Sequence, residues 1–218
     1  MADWPVAILA GGLSTRLRPA TDKTPKALLS VAGEPFVIHQ LRLLYSQGLR
    51  RIVLCVGYLG EMIEAELGDG SSLGMQIGYS FDGPTLLGTG GALKRALPKL
   101  GDQFLAIYGD SFMPVDYFAI VEAFVLSRKP ALMTVFENES RWDVSNVSFE
   151  AGEIHRPEVF ASFPDDRAFD LADVYSDLVS EKQMAAYEVK QRFYEIGSRE
   201  GLAELDSLLR DKRATFFP

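Results

Sequence analysis

Short apolar runs that end on glycine, alternating with stretches patterned for helix, constrain this chain more than any other feature. Val6-Ala7-Ile8-Leu9-Ala10 runs into Gly11-Gly12, Arg51–Val56 into Gly57, and Phe104-Leu105-Ala106-Ile107-Tyr108 into Gly109-Asp110. Continuous apolar runs of four to eight residues bounded by turn formers read as strands buried on both faces. Further strands are expected over 75–81 and 131–136. Between them, residues 34–48 read as a helix with Pro35 near its first position, and Phe36, Val37, Leu41, Leu44 and Tyr45 along one face. Helices are also expected near 60–67, 89–97 and 116–128. Strands alternating with helices imply a mostly parallel sheet covered on both faces.

After residue 140 the pattern changes to shorter strand-like runs at 144–149, 185–189 and 193–196, with helices near 169–180 and 198–210. They read as a small C-terminal lobe on the same sheet. Ligands of open parallel sheets bind beyond the carboxyl ends of the strands. That rule makes Gly11-Gly12, Gly57, the loop at 82–91 and Asp110 neighbours in space.

Several function classes drop out. The formal net charge of −8 argues against nonspecific nucleic-acid binding. The first fifty residues are nevertheless basic, with Arg16, Arg18, Lys23, Lys26, Arg42 and Arg50 against Asp3, Asp22 and Glu34, which suits a small anionic ligand held at that end. A single cysteine, Cys55, excludes an intrachain disulfide framework and a Cys-rich zinc site, and its apolar neighbours predict burial. No stretch reads as a membrane span or a leader, so no membrane partner is expected and the cytoplasm is the default location. Gly70-Ser71-Ser72-Leu73-Gly74 matches G-x-S-x-G, but a helix precedes it and a strand follows, the reverse of a nucleophile elbow. His39 and His155 are too few for a histidine metal cluster, and there is neither a Walker A sequence nor G-x-G-x-x-G.

What remains is Gly11-Gly12-Leu13-Ser14-Thr15-Arg16-Leu17, followed by Pro25-Lys26. Adjacent glycines let backbone amides approach a phosphate chain closely. Ser14 and Thr15 add hydroxyls, Arg16 a planar fork for phosphate oxygens, and Lys26 a point charge.

The run from Leu9 to Leu17 with its Pro25-Lys26 resembles the opening motif G-G-x-G-T-R-L…P-K of the sugar-phosphate nucleotidyltransferases. The similarity continues in Gly88-Thr89-Gly90-Gly91-Ala92-Leu93, in Gly109-Asp110 and in Tyr194-Glu195-Ile196-Gly197-Ser198. It implies a Rossmann-like nucleotidyltransferase fold, a mostly parallel mixed sheet flanked by helices with the small C-terminal lobe. It implies one domain over 1–218, with 1–140 as nucleotide-binding core and 141–218 as sugar-phosphate side. Ala10, Gly11, Gly12, Ser14, Thr15, Gly88, Thr89 and Gly90 would then bind the nucleotide. Arg16, Lys26 and Asp110 would be catalytic, and Asp110 and Glu195 would hold Mg2+. The expected partners are an NTP and a sugar 1-phosphate, with homo-oligomerisation left open.

The chemistry suits these residues. A sugar 1-phosphate brings its own nucleophile, since a phosphate monoester with a second pKa of about 6 is largely dianionic at neutral pH. The protein need only position and neutralise charge. Two other functions fit the fold: phosphocholine-type cytidylyl transfer, and nucleotide binding without turnover. Within the sugar reading, 87–91 and 145–147 lean toward heptose 1-phosphate guanylyltransferases and GTP.

Three residues or stretches depart from the family pattern. Ser14 stands at the third glycine, and Glu195 stands for an aspartate. The stretch 150–157 is short where relatives carry sugar-binding elements, which leaves His155 and Arg156 to serve a sugar phosphate and predicts a more open sugar side.

Overall fold

The structure, a computed structural model, describes residues 4–137, 157–163, 165 and 167–216. In chain order it contains β1 (Val6–Leu9), β2 (Ser30–Val31), β3 (Glu34–Pro35), α1 (Phe36–Ser46), β4 (Arg51–Val56), α2 (Gly60–Leu67), β5 (Gln76–Phe81) and α3 (Gly88–Leu100). Then follow β6 (Leu105–Tyr108), β7 (Ser111–Phe112), α4 (Tyr117–Ser127), β8 (Ala131–Val135), α5 (Leu171–Ser180), β9 (Met184–Glu188), β10 (Tyr194–Glu195) and α6 (Arg199–Phe216).

The central sheet runs β5-β4-β1-β6 and is parallel throughout, with Val6 opposite both Ile52 and Leu105. Its side chains divide by the two-residue period of a strand. Val6 and Ile8, with Ile52, Leu54 and Val56, face a core shared with Phe36, Val37, Leu41 and Leu44 of α1. Ala7, Val53 and Cys55 face a second core built with Ala92, Leu93 and Ala96 of α3 and Leu171, Val174 and Leu178 of α5. Helices therefore cover both faces, as the continuous apolar strands require. Each fully buried large apolar side chain contributes about 1.5–3 kcal/mol to this arrangement.

Antiparallel pairing enters in two short pairs, the hairpin β2–β3 and the long-range pair β7–β10. β8 and β9 form a separate parallel pair. Of the described C-terminal strands, β9 and β10 thus pair outside the four-stranded sheet, whereas the sequence pattern places them on it. For β10 the reason is the turn at Gly109-Asp110, which bends the chain out of β6 and restarts it as β7, the partner of β10. The expected helix over 34–48 begins only at Phe36, because Ala32 and Gly33 (φ 49° and 87°) make a tight hairpin turn that keeps Glu34 and Pro35 extended. Ser71–Leu73 forms a short 3-10 turn between α2 and β5, so Ser72 is no nucleophile elbow. His39 is fully buried in α1 and its Nε2 donates to Val31 O at 2.8 Å, a structural role. The expected strand at 144–149 and the stretch 150–156, with His155 and Arg156, lie outside the described residues. Among the described residues no helix is long and apolar enough to cross a membrane.

Candidate active site

The carboxyl ends of β1, β4 and β6 open onto one edge of the sheet. Beyond β1, Ala10 N still donates to Cys55 O at 2.8 Å, and the chain then crosses the end of β4 at Gly11. A Cβ on Gly11 would lie 3.1 Å from Gly57 N, and one on Gly57 would lie 2.8 Å from Gly11 O. A side chain at Gly57 would strike the Gly11 carbonyl and one at Gly11 would crowd Gly57 N, so glycine suits this close approach of the two strand ends. Gly12 faces open space. Ser14 then adopts a left-handed backbone (φ 51°, ψ 40°), which turns the chain into the 3-10 turn Thr15–Leu17. Its carbonyl accepts from Thr21 Oγ1 at 2.8 Å and from Leu17 N at 3.2 Å, so the loop is fixed from within. Ser14, which stands at the third glycine of the motif, thus takes a left-handed conformation of the kind glycine adopts most easily.

A cavity of about 370 Å³ lies over this loop, lined by Gly12, Leu13, Ser14, Thr15, Arg16, Lys26, Leu86 and Gly197. Five of its residues were singled out from sequence; Leu13, Leu86 and Gly197 were not. Arg16 is exposed, and its Nη2 lies 3.9 Å from where a Cβ on Gly197 would stand. Glu195 Oε2 lies 4.0 Å from the same point. Lys26 begins the 3-10 turn Lys26–Leu28, and its Nζ lies 2.8 Å from Asp110 Oδ2. The pair is largely withdrawn from water, with side-chain exposures of 16% and 28%.

The pairing of β7 with β10 brings the backbone at Asp110 next to that at Glu195 and Ile196, far apart in sequence. Ser111 is the register partner of Glu195, and Ile196 N donates to Asp110 O at 2.9 Å. Among the described residues no group of three or more His, Cys, Asp or Glu gathers as a metal cage. Two carboxylates suit Mg2+ nonetheless, because that ion keeps several waters and is bound through one or two carboxylates plus substrate phosphates.

The second glycine loop is arranged differently. Gly88 has φ 71°, and a Cβ there would stand 2.5 Å from Phe169 O. Gly90 N and Gly91 N donate to Phe169 O at 3.1 and 3.3 Å, and Phe169 N donates to Leu87 O at 3.0 Å. Thr89 N and Oγ1 both donate to Asp170 Oδ1 at 3.3 Å, and Leu171 N donates back to Thr89 Oγ1 at 2.9 Å. Phe169 is held there by stacking on Phe163, with ring centroids 4.7 Å apart. Gly88, Thr89 and Gly90 therefore join α3 to α5, and the loop reaches the cavity through Leu86. Asp170 was not singled out from sequence; its signal was only that of an acidic residue preceding a helix.

Two buried groups lie just behind the loop. Asp82 is 5% exposed; its Oδ2 accepts from Leu87 N at 3.2 Å, while Oδ1 has no hydrogen-bond partner among the described residues. Burial raises its pKa above the usual carboxylate range, opposed by the Leu87 N–H and by Arg95. Cys55 is buried as predicted, and desolvation pushes its thiol up to about 12, which makes it unreactive at neutral pH.

With the fold and the loop described, comparison with known proteins identifies the class. The nucleotidyl transferase family model matches residues 6–143, more than half of the chain. The chain belongs to this family. Among its relatives is an N-acetylmuramate alpha-1-phosphate uridylyltransferase of Neisseria meningitidis serogroup B, 45% identical over 113 residues. That match covers 51% of this chain and 49% of the relative. A mannose-1-phosphate guanylyltransferase of Mycobacterium tuberculosis is 33% identical over 160 residues, 73% of this chain and 40% of that protein. The chain thus spans half or less of the length of these relatives. In fold it is similar to HddC from Yersinia pseudotuberculosis crystallised with GMP-PN, with a TM-score of 0.75 at 23% identity over 94% of this chain and 99% of that one. A Bacillus anthracis protein crystallised with sucrose gives a TM-score of 0.82 at 22% identity, covering 96% of each chain.

Proposed function

We propose that this chain transfers a nucleoside monophosphate from an NTP to a sugar 1-phosphate and releases pyrophosphate. One observation carries the reading: the Gly12–Arg16 loop and Lys26 line one cavity, and Lys26 is paired directly with Asp110. Gly11 and Gly12, with Ser14 and Thr15, offer backbone and hydroxyl donors to the triphosphate. Arg16 and Lys26 neutralise charge on the departing pyrophosphate. The sugar phosphate supplies the attacking oxygen, so no protein base is required.

Asp110 and Glu195 would hold Mg2+, which would neutralise charge on the α-phosphate and on the incoming phosphate. The chain's own task would be to present both carboxylates from the paired β7 and β10 segments, with Lys26 held against Asp110. The sugar side is assigned to residues 141–218. The names of the relatives favour a sugar phosphate over phosphocholine as acceptor, and they make UTP and GTP the first nucleotides to test.

Pyrophosphate release measured across four NTPs and a panel of sugar 1-phosphates, with Asp110→Asn as control, tests the reading. One NTP and one sugar phosphate should support metal-dependent release that the variant lacks. Release that needs no sugar phosphate, or none with any pair, would sink it.

A further inference from the structure

The turn that carries Asp110 is held by a buried side chain that the proposed chemistry does not use. Gln40, in the middle of α1, is 2% exposed. Its Nε2 donates to Tyr108 O at 3.0 Å and to Ser111 O at 2.7 Å. These two carbonyls flank Gly109-Asp110, so one carboxamide closes both ends of the turn. Besides the Lys26–Asp110 pair, two backbone bonds tie the turn: Gly109 N donates to Leu9 O, and Ile196 N to Asp110 O, both at 2.9 Å.

We propose that Gln40 is a positioning residue for Asp110, clamping the Gly109-Asp110 turn so that its carboxylate stays beside Lys26 and the Glu195 strand. This rests on the reading of Asp110 as a metal-holding residue. Two features set Gln40 apart from a core residue that merely packs. Its Oε1 is buried with no hydrogen-bond partner among the described residues, a desolvation cost accepted at a position whose Nε2 serves only the two carbonyls of this turn. Its neighbour His39 holds Val31 O, and Phe36 N at the start of the same helix donates to Leu29 O at 2.9 Å, one residue past the Lys26 turn. α1 is thus the common frame for both members of the Lys26–Asp110 pair, reached on one side through His39 and Phe36 and on the other through Gln40. Loss of a partner that orients a metal-holding group typically costs about 10–100-fold in metal affinity.

The residue that ends the same helix supplies a control. Gln47 Nε2 donates to Val115 O at 2.7 Å, and its Oε1 accepts from Tyr117 N at 2.9 Å, a comparable carboxamide clamp on a turn that carries no proposed ligand. The experiment is a Mn2+ titration, free ion counted by electron paramagnetic resonance, with the α,β-methylene analogue of GTP or of UTP, whichever base the pyrophosphate assay selects. Gln40→Met should weaken Mn2+ binding about tenfold. Nucleotide affinity without metal should stay within about twofold, since the phosphate loop is untouched. Gln47→Met should lower the melting temperature to a similar degree and leave Mn2+ affinity at the parent value. Should Gln40→Met not fold, Gln40→Asn carries the same comparison, because it keeps an amide but retracts it by one methylene.

Unchanged Mn2+ affinity in the Gln40 variant, or an equal loss in Gln47→Met, overturns the proposal. Asp110→Asn is run alongside. If it too binds Mn2+ like the parent, the reading of Asp110 itself has failed, and the role of Gln40 falls with it.

Discussion

Lys26 Nζ and Asp110 Oδ2 stand 2.8 Å apart, so the cation proposed for phosphate and the carboxylate proposed for the metal neutralise each other before any substrate arrives. A metal-bound triphosphate must separate them, bringing a dication to Asp110 and phosphate oxygens to Lys26. Asp110→Asn therefore has two opposite effects. Turnover should fall about 100-fold or more, since a charged ligand is lost. Affinity for the metal-free NTP, measured calorimetrically in chelator, should rise, because Lys26 no longer has a competing anion. Weaker metal-free binding in the variant would show that the pair is not in competition with nucleotide.

Arg16 and Lys26 play similar parts in the reading but differ in setting. Arg16 is exposed, and Arg16→Ala should shift stability by no more than about 0.5 kcal/mol. Turnover should drop about 100-fold, the usual loss for one donor to developing charge. Lys26 is largely covered, and Lys26→Ala leaves Asp110 without its partner, so about 1 kcal/mol of stability should go as well. Urea melts and pyrophosphate release on both variants check this. Equal stability losses would mean that the burial difference has no energetic weight.

That contrast shows where sequence reading ends. The sequence treats Lys26 as a solvated loop charge, because nothing near residue 26 announces a carboxylate at residue 110. Strand β4 and helix α2 are legible to the residue, since β4 is a continuous apolar run stopped by Gly57 and α2 lies between Gly60 and Gly68. The β7 strand is two residues long and pairs with residues 194–195, and that long-range pairing is what sets Asp110 beside Glu195. Length and period carry no signal for it. The glycine-rich loop is legible because close backbone approach demands glycine. Gln40 is not, because a glutamine within a helix looks the same whether it faces water or two carbonyls. Asp170 carries no signal of its contacts in the sequence, because its partner Thr89 lies about eighty residues away.

Ser14 is an L-residue at φ 51° where its relatives' motif has glycine. The left-handed conformation costs about 1–2 kcal/mol, and glycine gives back about half of that through the greater freedom of the unfolded chain. Ser14→Gly should therefore raise stability by up to about 1 kcal/mol, or about 2–4 °C in melting temperature for a chain of this size. Turnover should stay within about threefold, because the backbone amide is retained. Ser14→Val, β-branched and poorly suited to positive φ, should lose both stability and turnover. A neutral Ser14→Val would mean that the loop tolerates another conformation.

Asp82 makes stability depend on pH in a direction opposite to most carboxylates. It is nearly inaccessible, its Oδ1 lacks a partner among the described residues, and burial raises its pKa despite the Leu87 N–H and Arg95. Between the ordinary carboxylate pKa and that raised value, the folded protein keeps a proton that the unfolded chain has released. Stability from this group is therefore present at low pH, falls as pH rises through the window, and stays lost above it. Asp82→Asn keeps a carbonyl oxygen for Leu87 N and removes the ionisation. Relative to the parent, the variant should gain denaturation midpoint steadily from pH 4 upward and level off once the parent's Asp82 is ionised in both states. Paired urea titrations at half-unit pH steps give the difference directly. A gap that stays constant with pH would mean that Asp82 titrates alike in the folded and unfolded chain, and a gap that closes as pH rises would mean that its pKa is lowered by folding.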